Sequence, residues 1–239
     1  MATAGSSLVY PSECGLPLPP GGRPLADDQR ERLLAEALAE FTPATDGAQG
    51  VAAIAERLRR VREGLLREIS LGRGWELAGR LTVATDAAVV ALAQLAMAET
   101  GAAACPIAIA ATGGYGRGML FPWSDVDLAI IPGDETDDSV SGFVRTLHRL
   151  VFDCLSDGVG LDVGYQFRPC SDLPAVDAQT RTTLLDARHL WGSRAVYSTF
   201  TQALNASIDP TKVLLNLVAE REESGLGRLG RVFRLEPDL

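Results

Sequence analysis

Three rhythms of apolar and polar positions follow one another along this chain. The first is helical. Behind Asp27-Asp28, the residues Leu33, Leu34, Ala37, Leu38 and Phe41 recur every three or four positions and stop short of Pro43, which predicts an amphipathic helix. From Val51 the same period continues through Ile54, Leu58, Val61, Leu65 and Ile69, with Arg57, Arg59, Arg60, Arg62 and Arg67 between them as a solvated basic face. Trp75 to Glu99, rich in Ala and Leu, predicts a longer helix packed beneath a sheet.

The second rhythm is that of buried strands. Ile107 to Ala111 and Leu128 to Ile131 are short apolar runs, the latter closed by Pro132-Gly133, and both read as strands covered on two faces. The helical period then returns from Ser141 to Asp157 through Phe143, Leu147, Leu150, Val151, Cys154 and Leu155, and Gly158 and Gly160 end it. His148 lies on or beside that stripe, which suits packing better than catalysis. A strand begins near Leu161. From Thr180 the third rhythm is again helical, over 182–190, 195–205 and 211–223, with breaks at Gly192 and at Asp209-Pro210.

Positions 1–24, with Pro11, Pro17, Pro19, Pro20 and Pro24 among Gly and Ser, predict a flexible or extended tail. The expected organisation is thus a tail over 1–24, a helical region over 25–100, a core over 101–178 and a helical subdomain over 179–239. The fold class is α/β (α+β), with a small mixed sheet.

Between the first two strands lies the stretch that carries chemistry. Thr112-Gly113-Gly114-Tyr115-Gly116-Arg117-Gly118 places four glycines in six positions, and Ser124-Asp125-Val126-Asp127 leads into the second strand. Glycines let successive N–H groups form an anion nest. Residues two apart on a strand share a face, so Asp125 and Asp127 project side by side. They repel each other unless a cation intervenes, and hard oxygen ligands suit Mg²⁺ together with phosphates. A nest, Arg117, Ser124 and the acid pair, all within 15 positions, describe a site for a metal nucleoside triphosphate and point to nucleotidyl transfer. Neither part is specific alone: the glycines fit neither G-x-G-x-x-G nor a P-loop. Their order between two apolar strands is far more specific.

The string GGYGRGMLFPWSDVDLAII resembles the nucleotidyltransferase motif of the PII-protein uridylyltransferase family, the bifunctional uridylyltransferase/uridylyl-removing enzymes of the DNA polymerase β-like superfamily. GLDVGYQFR (160–168), LLDAR (184–188) and LEPDL (235–239) resemble later parts of the same family, so that the likeness runs from about position 80 to the end. It implies a polymerase β-like fold and transfer of UMP from UTP to a tyrosine hydroxyl of a PII-type nitrogen-regulatory protein. Asp125 and Asp127 would bind Mg²⁺, while Gly113, Gly114, Ser124 and Arg117 would hold the nucleotide. The resemblance also implies a third acid on the strand after the long helix, where Asp162 can ligate metal or accept the nucleophile's proton. Alternation groups Asp162 with Gly164 and Gln166 but does not say which face meets the site, and Asp186, with Arg188 as a possible partner, stays an alternative.

Two positions depart from the family pattern: Met119 stands where many relatives have Glu, and Tyr165 where the strand commonly carries His. These departures keep open a different acceptor, a small molecule or another protein, and a nucleotide-sensing module without turnover. The intact acid pair argues against the last. No HD phosphohydrolase motif follows, so the chain is expected either to be cut from a longer multidomain protein or to be a stand-alone transferase.

Composition narrows the partners. The formal net charge is −9 over 239 residues, which disfavours non-specific nucleic-acid binding through clustered Lys and Arg. The cysteines Cys14, Cys105, Cys154 and Cys170 are scattered and, with two histidines, predict reduced thiols and no zinc site. No run of 18 uninterrupted apolar residues and no leader pattern appear, so a cytoplasmic protein with no membrane partner is expected.

Overall fold

The computed structural model describes residues 25–42, 47–68, 74–101 and 105–209, together with 211, 213, 215 and 218. The expected tail over 1–24, most of the 211–223 stretch and the LEPDL segment lie outside the described residues. At the centre is a four-stranded mixed sheet. β1 (Ile107–Ala111) and β2 (Val126–Pro132) are antiparallel, β3 (Val163–Phe167) runs parallel to β2, and β4 (Arg188–Gly192) pairs antiparallel with β1, giving the order β3-β2-β1-β4. Every residue of β1 is buried, as a strand with both faces covered must be.

Alternation divides the core in two. Ile107, Ile109, Val126, Leu128 and Ile130 point to one side with the N-terminal helices, while Ala108, Ala110, Ala129 and Ile131 point to the other with Leu173, Leu184, Phe200 and Leu204. On the first side α3 (Gly74–Thr100) packs against α1 (Asp27–Phe41), α2 (Gly47–Glu68), α5 (Asp138–Val151) and β4. Its alanines let neighbours approach, and Thr82 and Thr85 return their hydroxyls to the carbonyls of Ala78 and Leu81 at 2.8 and 2.9 Å. α3 is long and apolar enough to cross a membrane, but 78% of its apolar stretch is buried inside the fold, as in a core helix.

The glycine segment contains a one-turn helix, α4 (Gly113–Gly116). Asp137 caps α5, accepting from Ser139 N at 2.8 Å, and a π-helical turn (Phe152–Gly158) leads on to β3. A 3₁₀ turn (Cys170–Ala175), α6 (Ala178–Leu185) and α7 (Arg194–Ala206) cover the second face of the sheet.

β4 corrects the expectation of a helix over 182–190. The helix ends at Leu185, and Arg188–Gly192 is an edge strand, in register Ala111↔Arg188 and Ala108↔Gly192, with an irregularity between Ile109 and Ala110. It is bound to the rest by Phe143 of α5, fully buried and stacked on Trp191 at 5.5 Å between ring centroids. Phe143→Ala should therefore destabilise the protein by about 3–5 kcal/mol, read as a lowered urea midpoint.

Candidate functional site

Thr112 N donates to Asp127 O at 3.0 Å, which ties the entry of the glycine turn to the acid strand. Gly113 follows at φ +58°, in the left-handed region. The chain then makes a single helical turn, Gly113–Gly116. Gly116 N bonds Thr112 O at 2.8 Å and Arg117 N bonds Gly113 O at 3.1 Å. A first helical turn leaves its leading N–H groups without intrahelical carbonyls, so the amides of Gly113 and Gly114 have no partner within the turn.

Beside this turn stands Asp127. A Cβ built on Gly113 would lie 3.2 Å from Asp127 Oδ2 and 3.4 Å from Thr183 Cγ2, so the turn, the acid strand and α6 meet here. Burial, and then the charge of Asp125, hold the Asp127 carboxyl above the usual carboxylate range. Asp125 is exposed and Asp127 only partly so. Neither acid has an ion pair among the described residues. Two neighbouring carboxylates, one just before β2 and one on it, offer hard oxygen donors of the kind that suit a divalent cation.

The segment between turn and acids is pinned twice. Leu120 N donates to Thr82 Oγ1 at 3.0 Å, and Arg62 donates to Pro122 O at 2.9 and 3.3 Å. Leu120 and Pro122 are thereby anchored, while Phe121 and Trp123 face outward, Trp123 with 68% of its surface exposed. Ser124 N bonds Phe121 O at 3.0 Å, closing a turn that delivers Ser124 and Asp125 to the start of β2.

The face of β3 that sequence alternation left open follows from the register. Asp127 pairs with Gly164, and a Cβ on Gly164 would lie 2.2 Å from Asp127 Oδ1. Gly164 therefore lies under the Asp127 carboxylate. Asp162, two residues earlier, falls on the same side by alternation, and its carbonyl accepts from Val126 N at 2.8 Å. Among the described residues no three His, Cys, Asp or Glu side chains converge on a single ion, so Asp162 shares the face without being gathered to the acid pair.

Tyr165 points away from this face. Its hydroxyl donates to Val144 O at 3.2 Å and its ring meets His148 edge-on at 5.0 Å, so it belongs to the packing of α5, as does His148. The departure at 165 leaves the acid face untouched.

Arg117 and Asp186 form a side-chain ion pair, 41% and 27% exposed. Asp186, which caps the end of α6, thus has Arg117 as its partner and not the nearby Arg188. Arg188 instead reaches Asp86 on α3, with Nη1 to Oδ2 at 2.7 Å and Nη2 to Oδ1 at 3.0 Å. Sequence reasoning missed Asp86. Its only signal was a lone acid inside an apolar helix, 1% exposed in the fold, which demands a partner.

The sheet, the glycine turn and the acid pair define a nucleotidyltransferase domain, and the comparisons agree. Residues 72–166 match the family described as "Putative nucleotidyltransferase DUF294". Similar proteins include the bifunctional uridylyltransferase/uridylyl-removing enzymes of Nitrosospira multiformis, 31% identical over 137 residues, of Aromatoleum aromaticum, 32% over 136, and of Chromobacterium violaceum, 33% over 135. Each match covers 55% of this chain and 15% of the relative.

Proposed function

We propose that this chain transfers UMP from UTP to a tyrosine hydroxyl of a PII-type signalling protein in the cytoplasm. The observation that carries the reading is the Asp125/Asp127 pair, with the carboxylate of Asp127 set against the Gly113 turn. The fold class and the bifunctional relatives support a nucleotidyltransferase; the base and the acceptor rest on the resemblance of GGYGRGMLFPWSDVDLAII to the uridylyltransferase motif.

Asp125 and Asp127 would hold Mg²⁺, whose fit follows from an all-oxygen donor pair, one member partly buried and raised in pKa by burial and its neighbour's charge. When bound, the metal would lower the charge on the triphosphate and on the attacking oxygen. The amides of Gly113 and Gly114 donate to phosphate oxygens, as does the hydroxyl of Ser124. Arg117 exchanges its exposed contact with Asp186 for the phosphate chain; a surface pair of this kind is weak enough to yield. The acceptor oxygen forms its bond to the α-phosphorus as the α–β bridge breaks and pyrophosphate leaves. Asp162, on the same face, accepts the hydroxyl proton.

The test is Mg²⁺-dependent transfer from each radiolabelled NTP to a PII-type protein. Label should move from UTP and stop when EDTA is added or Asp125 is replaced by Asn. Failure of every NTP to label the acceptor overturns the reading.

A further inference from the structure

A helix of one turn has no stability of its own, so the orientation of α4 has to come from outside it. Its carbonyl end is gripped by Arg188. Besides its two bonds to Asp86, the guanidinium donates from Nε to Gly116 O at 3.2 Å and from Nη2 to Tyr115 O at 3.2 Å, and lies 5.6 Å from the centroid of the Tyr115 ring. All three nitrogens are engaged. Burial alone would lower the pKa of Arg188, but the Asp86 charge and hydrogen bonds outweigh it and raise it. The backbone of Asp186 closes the same end: a Cβ on Gly116 would lie 2.2 Å from Asp186 O.

We propose that Asp86 and Arg188 are positioning residues for the nucleotide: they hold the glycine turn by its carbonyls, so that its free amides face the triphosphate beside Asp127. The proposal rests on the nucleotidyl-transfer reading of that site. Two elements 102 positions apart are joined through this pair to a turn that neither belongs to. The planar fork of Arg is what makes the joint, because two nitrogens meet the carboxylate while Nε and Nη2 remain able to reach carbonyls. A lysine ammonium could neutralise Asp86 but could not span all three acceptors.

The decisive variant is the apolar pair Asp86→Leu/Arg188→Met, made in the full chain. Replacing a buried ion pair by well-packed apolar side chains is often neutral or stabilising, so the variant is expected to fold with a Tm near wild type while losing the donors to Tyr115 and Gly116. Arg188→Lys is the companion that retains the charge. Equilibrium binding of UTP with Mg²⁺, transfer kinetics and hydrogen exchange at the amides of Gly116, Arg117 and Met119 are measured at a temperature where both are folded.

We expect UTP affinity to fall about tenfold or more and kcat/KM by about 10²-fold, with the acceptor KM unchanged and exchange at the turn accelerated. UTP affinity and kcat/KM at wild-type values in the folded double variant would overturn the proposal, as would unchanged exchange at the turn. If wild type itself binds no NTP, the nucleotidyl-transfer reading fails, and the exchange data still decide whether the pair holds the turn.

Discussion

In the Asp127→Asn variant, transfer of label from UTP should fall by about 10³-fold or more, while far-UV circular dichroism and the thermal transition stay those of the wild type. Asn keeps the volume of Asp and one carbonyl oxygen but removes the charge that a divalent cation requires. Without metal the variant should be no less stable than wild type, because the native carboxyl is disfavoured in its charged form by burial and by Asp125. Added Mg²⁺ should raise the wild-type Tm through binding to the folded state and leave the variant unmoved. Near-normal transfer by the variant would remove Asp127 from the metal role; loss of transfer together with loss of the fold would make it a structural residue.

The central part of this arrangement was legible in the sequence because it is coded locally. β1 and β2 announce themselves as apolar runs, and the glycines, Ser124 and the two acids lie within 15 consecutive positions. What was not legible depends on pairing between distant segments. β4 was read as helix because LLDARHLWG has no strand alternation of its own; its extended form comes from pairing with β1 and from the Phe143–Trp191 stack. Misreading β4 hid the partner of Asp86, since only the edge strand carries Arg188 to α3. The face of Asp162 was ambiguous for the same reason: alternation gives two faces, and only the Asp127↔Gly164 register chooses between them. The departure at Tyr165, which looked chemical in the sequence, is a packing feature on the opposite face.

That register carries the second large effect. The carboxylate of Asp127 has a glycine on each flank, Gly113 toward Oδ2 and Gly164 toward Oδ1. At Gly164 an added methyl would lie 2.2 Å from Oδ1, closer than any real contact, and the atom it meets is the end of a side chain. The cheapest relief is rotation of the carboxylate, with the strand left in place. Gly164→Ala should therefore reduce kcat/KM by about 10²-fold through displacement of the acid, yet change stability by no more than about 1 kcal/mol, since Ala suits a strand interior better than Gly. Gly113→Ala should lose activity and stability together, because at φ +58° an L-residue is strained whatever the space. The contrast between the two variants isolates the carboxylate: if Gly164→Ala retained full activity, Asp127 would tolerate displacement, and the site would have to be built around Asp125 alone.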